Sequence, residues 1–171
     1  MEHTISKETI AKFNALGWYQ IVGGIIGLGL TIWIISGLTT IIGPLLLLLL
    51  IATGLYGYSI YCGSLLLKRK ESGLSHSLIN QFLQLVNFSI SGFVFQYISG
   101  VYLSMGVDLT NSFNFTFNVG VSSWQLAINS DSESLVFNFN FVALFLILWI
   151  GKLRRKINKE RLENQIASIA H

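Results

Sequence analysis
The sequence predicts an all-α polytopic membrane protein, with four transmembrane helices at about 16–38, 41–67, 79–105 and 135–152 and a small β-hairpin at about 112–129 in an outer loop. Three observations predict it. The 171-residue chain is 52% apolar and 11% charged, against roughly 25% charged in a soluble domain. Its mean hydropathy is +0.62. Finally, all 11 Lys and Arg residues fall in three short clusters separated by long stretches that contain none.

The first apolar run begins near Leu16. At about 23 residues it exceeds the core of a cleavable signal peptide, so it is expected to stay as an anchor. Gly37, Thr39, Thr40, Gly43 and Pro44 mark a tight turn, and Pro44 suits a first helical turn, where its missing N–H would be unpaired anyway. The first two spans therefore read as an antiparallel hairpin. The second opens on Leu45–Leu50, suited to lipid, and closes on Lys68, Arg69 and Lys70. Gly23 and Gly27, and Ser59 and Gly63, stand four apart and allow close helix approach.

The third span carries the unusual polar pattern. Asn80, Gln84, Asn87 and Ser91 fall at i, i+4, i+7 and i+11 and share one face of a helix; Gln81, Gln96 and Ser99 widen the stripe. Amides in hydrocarbon need partners. The stripe Asn80, Gln84, Asn87, Ser91 and Gln96 has three readings: interhelical hydrogen bonds within the bundle, a groove for a partner's helix, or a polar path completed by oligomerisation. Ser91-Gly92 and Ser99-Gly100 read as small residues for close packing.

The outer loop, 108–134, is different in kind. Phe113, Phe115, Phe117, Val119 and Val121 alternate with Asn114, Thr116, Asn118 and Gly120, and Trp124, Leu126 and Ile128 continue the period of two. Phe137 and Phe139 alternate with Asn138 and Asn140 ahead of the fourth span. The expectation is a two- or three-stranded ribbon. Phe113, Phe115, Phe117 and Trp124 form its candidate outer aromatic surface. Such a ribbon is marginal alone, so its aromatic face must rest on helices, lipid or a partner. The tail, 152–171, reads as a charged cytoplasmic helix, and the whole chain 1–171 as a single domain.

Lys and Arg counted by the positive-inside rule number two in the N-terminal segment, three in the middle loop, six in the tail and none in the other loops. This orients both termini and the middle loop to the cytoplasm, in a membrane that residue usage suggests is bacterial. The formal charge of +3 and pI near 9.1 then need no nucleic acid, which is rejected as a partner.

Catalytic chemistry finds little support. No ionisable side chain lies at membrane depth, which argues against proton-coupled transport and intramembrane aspartyl proteolysis. His3, His76 and His171 are far apart in sequence, and His76 reads as a solvated loop residue. Cys62 stands alone and reads as a small packing residue. No phosphate loop, HExxH or nucleophile elbow is present in the sequence. No cofactor, metal or enzymatic activity is expected. The expected role is an accessory or interaction subunit of a bacterial membrane complex. Its partners would be the lipid bilayer and another membrane protein or a second copy. The competing role is a small oligomeric channel or solute carrier lined by the third helix.

Overall fold
The computed structural model, which describes residues 6–40, 42–128 and 133–169, runs α1 (Lys7–Ser36), α2 (Gly43–Leu67), α3 (Ser72–Leu85), β1 (Val86–Ile90), β2 (Phe93–Asp108), β3 (Asn114–Ala127), β4 (Leu135–Asn140) and α4 (Phe141–Ile169). The Ser6 hydroxyl accepts from Thr9 N–H at 3.4 Å and opens α1. Pro44 sits in the first turn of α2, as its fixed φ allows. The helices α1 and α2 are long and apolar enough to cross a membrane. Only 28% of the most apolar window of each is buried within the protein, whereas a core helix of a soluble domain is mostly covered.

The second half of the chain overturns the all-α, four-span bundle. The predicted third span, 79–105, is a helix only to Leu85 and becomes strand at Val86. Fourteen residues of α3 span about 21 Å at 1.5 Å each, short of the hydrocarbon core. Beyond Leu85 the apolar residues are aromatic or β-branched and recur every second position: Val86, Phe88, Ile90, then Phe93, Phe95, Tyr97. Ser91 and Gly92, at φ 43° and 88°, join Ile90 to its partner Phe93. Two positive φ values in a two-residue loop match the hairpin turn that follows strand twist. Ser91-Gly92 is thus a turn, not a packing patch.

The fourth predicted span, 135–152, is also divided. Its first six residues are β4, and the apolar part of α4 ends before Lys152. Asn140 Oδ1 accepts from Val142 N–H at 3.1 Å and caps the new helix. The predicted hairpin at 112–129 is instead one strand, β3, whose partner along its whole length is β2. Hydropathy alone cannot separate a spanning helix from a buried strand, and here the longer-range pairing decides.

The four strands form one antiparallel sheet in the order β1-β4-β2-β3 with a further β1–β2 pairing. β1 is bonded on one side to the start of β2 and on the other to β4, which is bonded in turn to the end of β2. The pairings therefore close a ring, which requires β2 to bend. It does so where Ser99 and Gly100 face Ser122, between the Ile98–Ser123 and Val101–Val121 pairs. Gly100 has φ 102°, a region open to glycine. A Cβ on Gly23 of α1 would lie 2.5 Å from Gly100 N, so this bend docks on α1 backbone to backbone.

The helices meet at the opposite end. Phe13 and Leu16 of α1, Leu66 of α2, Leu74 of α3, and Leu146, Ile150, Leu153 and Ile157 of α4 form the main apolar cluster. Just beyond it the three basic clusters converge. Glu8 pairs with Lys12 at 2.6 Å and with Lys156 at 2.5 Å, and Arg161 pairs with Glu71 beside Lys68, Arg69 and Lys70. Glu160 accepts from the Ser6 hydroxyl at 2.7 Å and from Thr9 at 3.2 Å. Burial works to raise the Glu160 pKa, but these bonds and the Lys156 charge hold its carboxyl below the ordinary value.

Candidate functional site
The five residues of the predicted stripe do not share a face. Asn80 and Gln84 lie on α3, Asn87 on β1, Ser91 in the β1–β2 turn and Gln96 on β2. The structure sorts four of them into two polar regions and leaves Ser91 exposed in the turn.

Asn80 and Gln84 belong to the helical core. The Asn80 amide donates to Gln20 Oε1 at 3.0 Å and to Ser59 Oγ at 3.2 Å. The Tyr97 hydroxyl lies 3.0 Å from Asn80 Oδ1 and 2.8 Å from the Leu55 carbonyl. Gln20 Nε2 donates to Ser77 Oγ at 2.8 Å, and Ser99 Oγ donates to Ser59 Oγ at 2.9 Å. Gln84 Oε1 accepts from Ser99 N–H at 2.8 Å. This buried network ties α1, α2 and α3 to β2 at the level where the chain changes from helix to strand. The neighbouring Gln81 is fully buried, with neither side-chain polar atom paired.

Asn87 and Gln96 belong to the sheet. Directly paired residues share a face, so the register places Asn87 with Asn138, Ser89 with Val136, and Gln96 with Gln125. The Thr116 hydroxyl donates to Asn138 Oδ1 at 2.5 Å and extends the same face. The other face carries Phe88, Phe95, Phe137, Val107 and Phe115. The polar side borders a half-open cavity of about 310 Å³, walled in part by Phe88, Val94, Phe95 and Val136 and lined also by six polar side chains, those of Asn87, Ser89, Gln96, Gln125, Ser134 and Asn138. None of these six side chains is ionisable. Gln96 Nε2 donates to Ser123 Oγ at 2.9 Å, and the Ser89 and Ser134 hydroxyls are bonded to each other. Asn87 is 3% exposed, and neither its Nδ2 nor its Oδ1 has a partner.

The sequence reading missed Ser89, Gln125, Ser134 and Asn138 as a group. Their signal was the period of two: amides, hydroxyls and the occasional valine alternating with the aromatic residues.

The aromatic surface is partly as expected. Phe113, Phe115 and Phe117 are exposed, with Phe115 at 83%. Trp124 is half-buried, paired across the ladder with Tyr97, and its Nε1 is buried without a partner. Met105 and Phe139 add to the exposed apolar face. No described strand lies along the outer edge of β3.

Of the remaining candidates, His76 is placed differently from expectation. His76 is on α3, half-buried, with Nδ1 3.1 Å from the Tyr58 hydroxyl and its ring against Tyr61; it is not a loop residue. Cys62 is buried and forms no disulfide. His3 and His171 lie outside the described residues, among which no group of three or more His, Cys, Asp or Glu is placed to hold a metal ion.

Comparison with protein-family models, with curated proteins and with solved structures finds no match to this chain in any of the three. Fold and site together define a class by structure alone: an α+β protein with a helix hairpin long enough for a membrane and a sheet with one amide-rich and one aromatic face.

Proposed function
We propose that this chain is a non-enzymatic integral membrane protein that acts as an interaction subunit, receiving a strand of a partner membrane protein along β3. The observation that carries the reading is the sheet itself. Phe115, Phe117, Val119 and Val121 expose an apolar face on a strand along whose outer edge no described strand lies. A row of unpaired backbone N–H and C=O groups recruits a further strand in water. Beside hydrocarbon it must be covered, because lipid offers no hydrogen bonds. Apolar outward and polar inward is also the alternation of sheets whose outer surface meets lipid.

In this reading the helix hairpin crosses a bacterial cytoplasmic membrane, and the charged end faces the cytoplasm, where Lys and Arg are retained. Purification in mild detergent followed by mass spectrometry tests it. The wild type carries a stoichiometric companion, either another membrane protein or a second copy, and Phe117→Lys releases it without unfolding the protein. A clean wild-type monomer overturns the proposal.

The competing role, a channel or solute carrier, draws support from the polar cavity at Asn87 and Gln96. Flux after reconstitution separates the two. If Asn87→Leu and Gln96→Leu leave flux unchanged, the carrier reading fails.

A further inference from the structure
We infer that the cavity inside the sheet is a binding site for a small, uncharged polyhydroxylated group. The argument begins with Asn87. A buried amide with both ends unpaired costs free energy, and native structures give such groups partners. Asn87 is 3% exposed, has none, and lines the cavity. It does so from β1, where it is paired with Asn138 of β4.

The lining decides the ligand's chemistry. Asn87, Gln96, Gln125 and Asn138 carry carbonyl acceptors and amide donors, Ser89 and Ser134 add hydroxyls, and Phe88, Val94, Phe95 and Val136 supply apolar walls of the kind a sugar's C–H face can rest on. No side chain there can carry a charge, so an ionic ligand would be desolvated without a counter-charge. An apolar ligand would leave the amides unpaired. A polyol has the matching property, because each of its hydroxyls both donates and accepts.

Size agrees. A volume of about 310 Å³ corresponds to about ten water molecules at roughly 30 Å³ each, enough for a hexitol or one sugar ring. A second, apolar crevice of about 330 Å³ lies between α2 and the sheet, lined by Leu48, Ile51, Phe93 and Ile128. It shares Phe88, Val94 and Phe95 with the first cavity.

The same hydroxyl chemistry reaches the cavity as a free polyol or as the neutral sugar head group of a lipid, and two experimental arms distinguish them. In the first, the full chain in detergent is titrated with sorbitol, myo-inositol and glucose, with inorganic phosphate as the charged comparison. Unfolding temperature and the Asn87 side-chain amide resonances are followed. In the second, the chain sits in nanodiscs of phosphatidylcholine with or without monoglucosyl diacylglycerol.

Polyols stabilise most proteins weakly by exclusion, in proportion to concentration. The site-specific signal is therefore a saturating rise in unfolding temperature of a few degrees that Asn87→Leu removes while the linear part persists. Gln125→Leu, at an exposed position on the cavity rim, reduces the same saturating part and guards against misfolding of the first variant. Saturation in the first arm assigns a free polyol, and in the second alone a lipid head group. The proposal is overturned if neither arm gives a saturating, Asn87-dependent shift, or if phosphate shifts the Asn87 resonances at lower concentration than any polyol.

Discussion
Asn80 and Asn87 are seven residues apart, carry the same side chain and are almost equally buried, yet they stand in opposite conditions. Asn80 is fully engaged, bonded to Gln20 and Ser59 and accepting from Tyr97. Asn87 has no partner at all. The difference is one of secondary structure. At Asn80 three helices and β2 converge, and each supplies a side chain. At Asn87 the backbone is already satisfied by the β ladder, and the side chain is delivered to an open volume. Burial by itself therefore does not say whether an amide is cement or a recognition group; the count of satisfied atoms does.

Four substitutions break or sharpen that contrast. The largest effect is expected at the seam between the two regions. Gly23→Ala places a Cβ against the Gly100 backbone, which cannot yield as a flexible side chain can, and should destabilise by about 3 kcal/mol. Denaturation in mild detergent measures it, and a loss below about 1 kcal/mol would show the seam to be loose. Next is Asn80→Leu. It strips the donor from the buried Gln20 carbonyl and an acceptor from Tyr97, for an expected loss of about 2 kcal/mol.

Glu160 tests the charged end. Its folded pKa is depressed, so its stabilising contribution is present above the unfolded carboxylate pKa and is lost as pH falls through the lower folded value. Glu160→Gln should cost about 1 kcal/mol near neutral pH and nothing at strongly acidic pH. An equal loss at both ends of the titration would remove ionisation from the account. The smallest effect belongs to Asn87→Leu, expected within about 0.5 kcal/mol of wild type or slightly stabilising, because it removes an unpaired polar group. If Asn87→Leu were as damaging as Asn80→Leu, the two regions would not differ as described.

Much of the first half of the chain was legible in the sequence. The 37–44 turn, Pro44 and two long basic-free runs specify a helix hairpin, because each signal is local and they agree. The strands of the outer loop were legible as strands through the alternation from Phe113 to Val121. Their partners were not. A ribbon folded on itself was expected, but β3 pairs with β2, a segment assigned to a helix.

That misassignment had a specific cause. Asn80, Gln84, Asn87 and Ser91 fit a helical spacing, and the fit for the last two is accidental. The aromatic alternation from Val86 to Tyr97 and the Ser91-Gly92 turn argued for a hairpin over the same residues. A 27-residue apolar window, from 79 to 105, outweighed them, since hydropathy averages away the period.

By itself the sequence determined the helix hairpin, the clustering of every basic residue outside the long apolar runs, and the alternating texture of the strands, since these depend on residues near one another in the chain. Only the tertiary structure decided that β2 bends to close a ring, and that Asn80 is paired while Asn87 is not. Those outcomes depend on which segments meet across long stretches of chain. A one-dimensional pattern records that a side chain needs a partner but not whether the fold brings one.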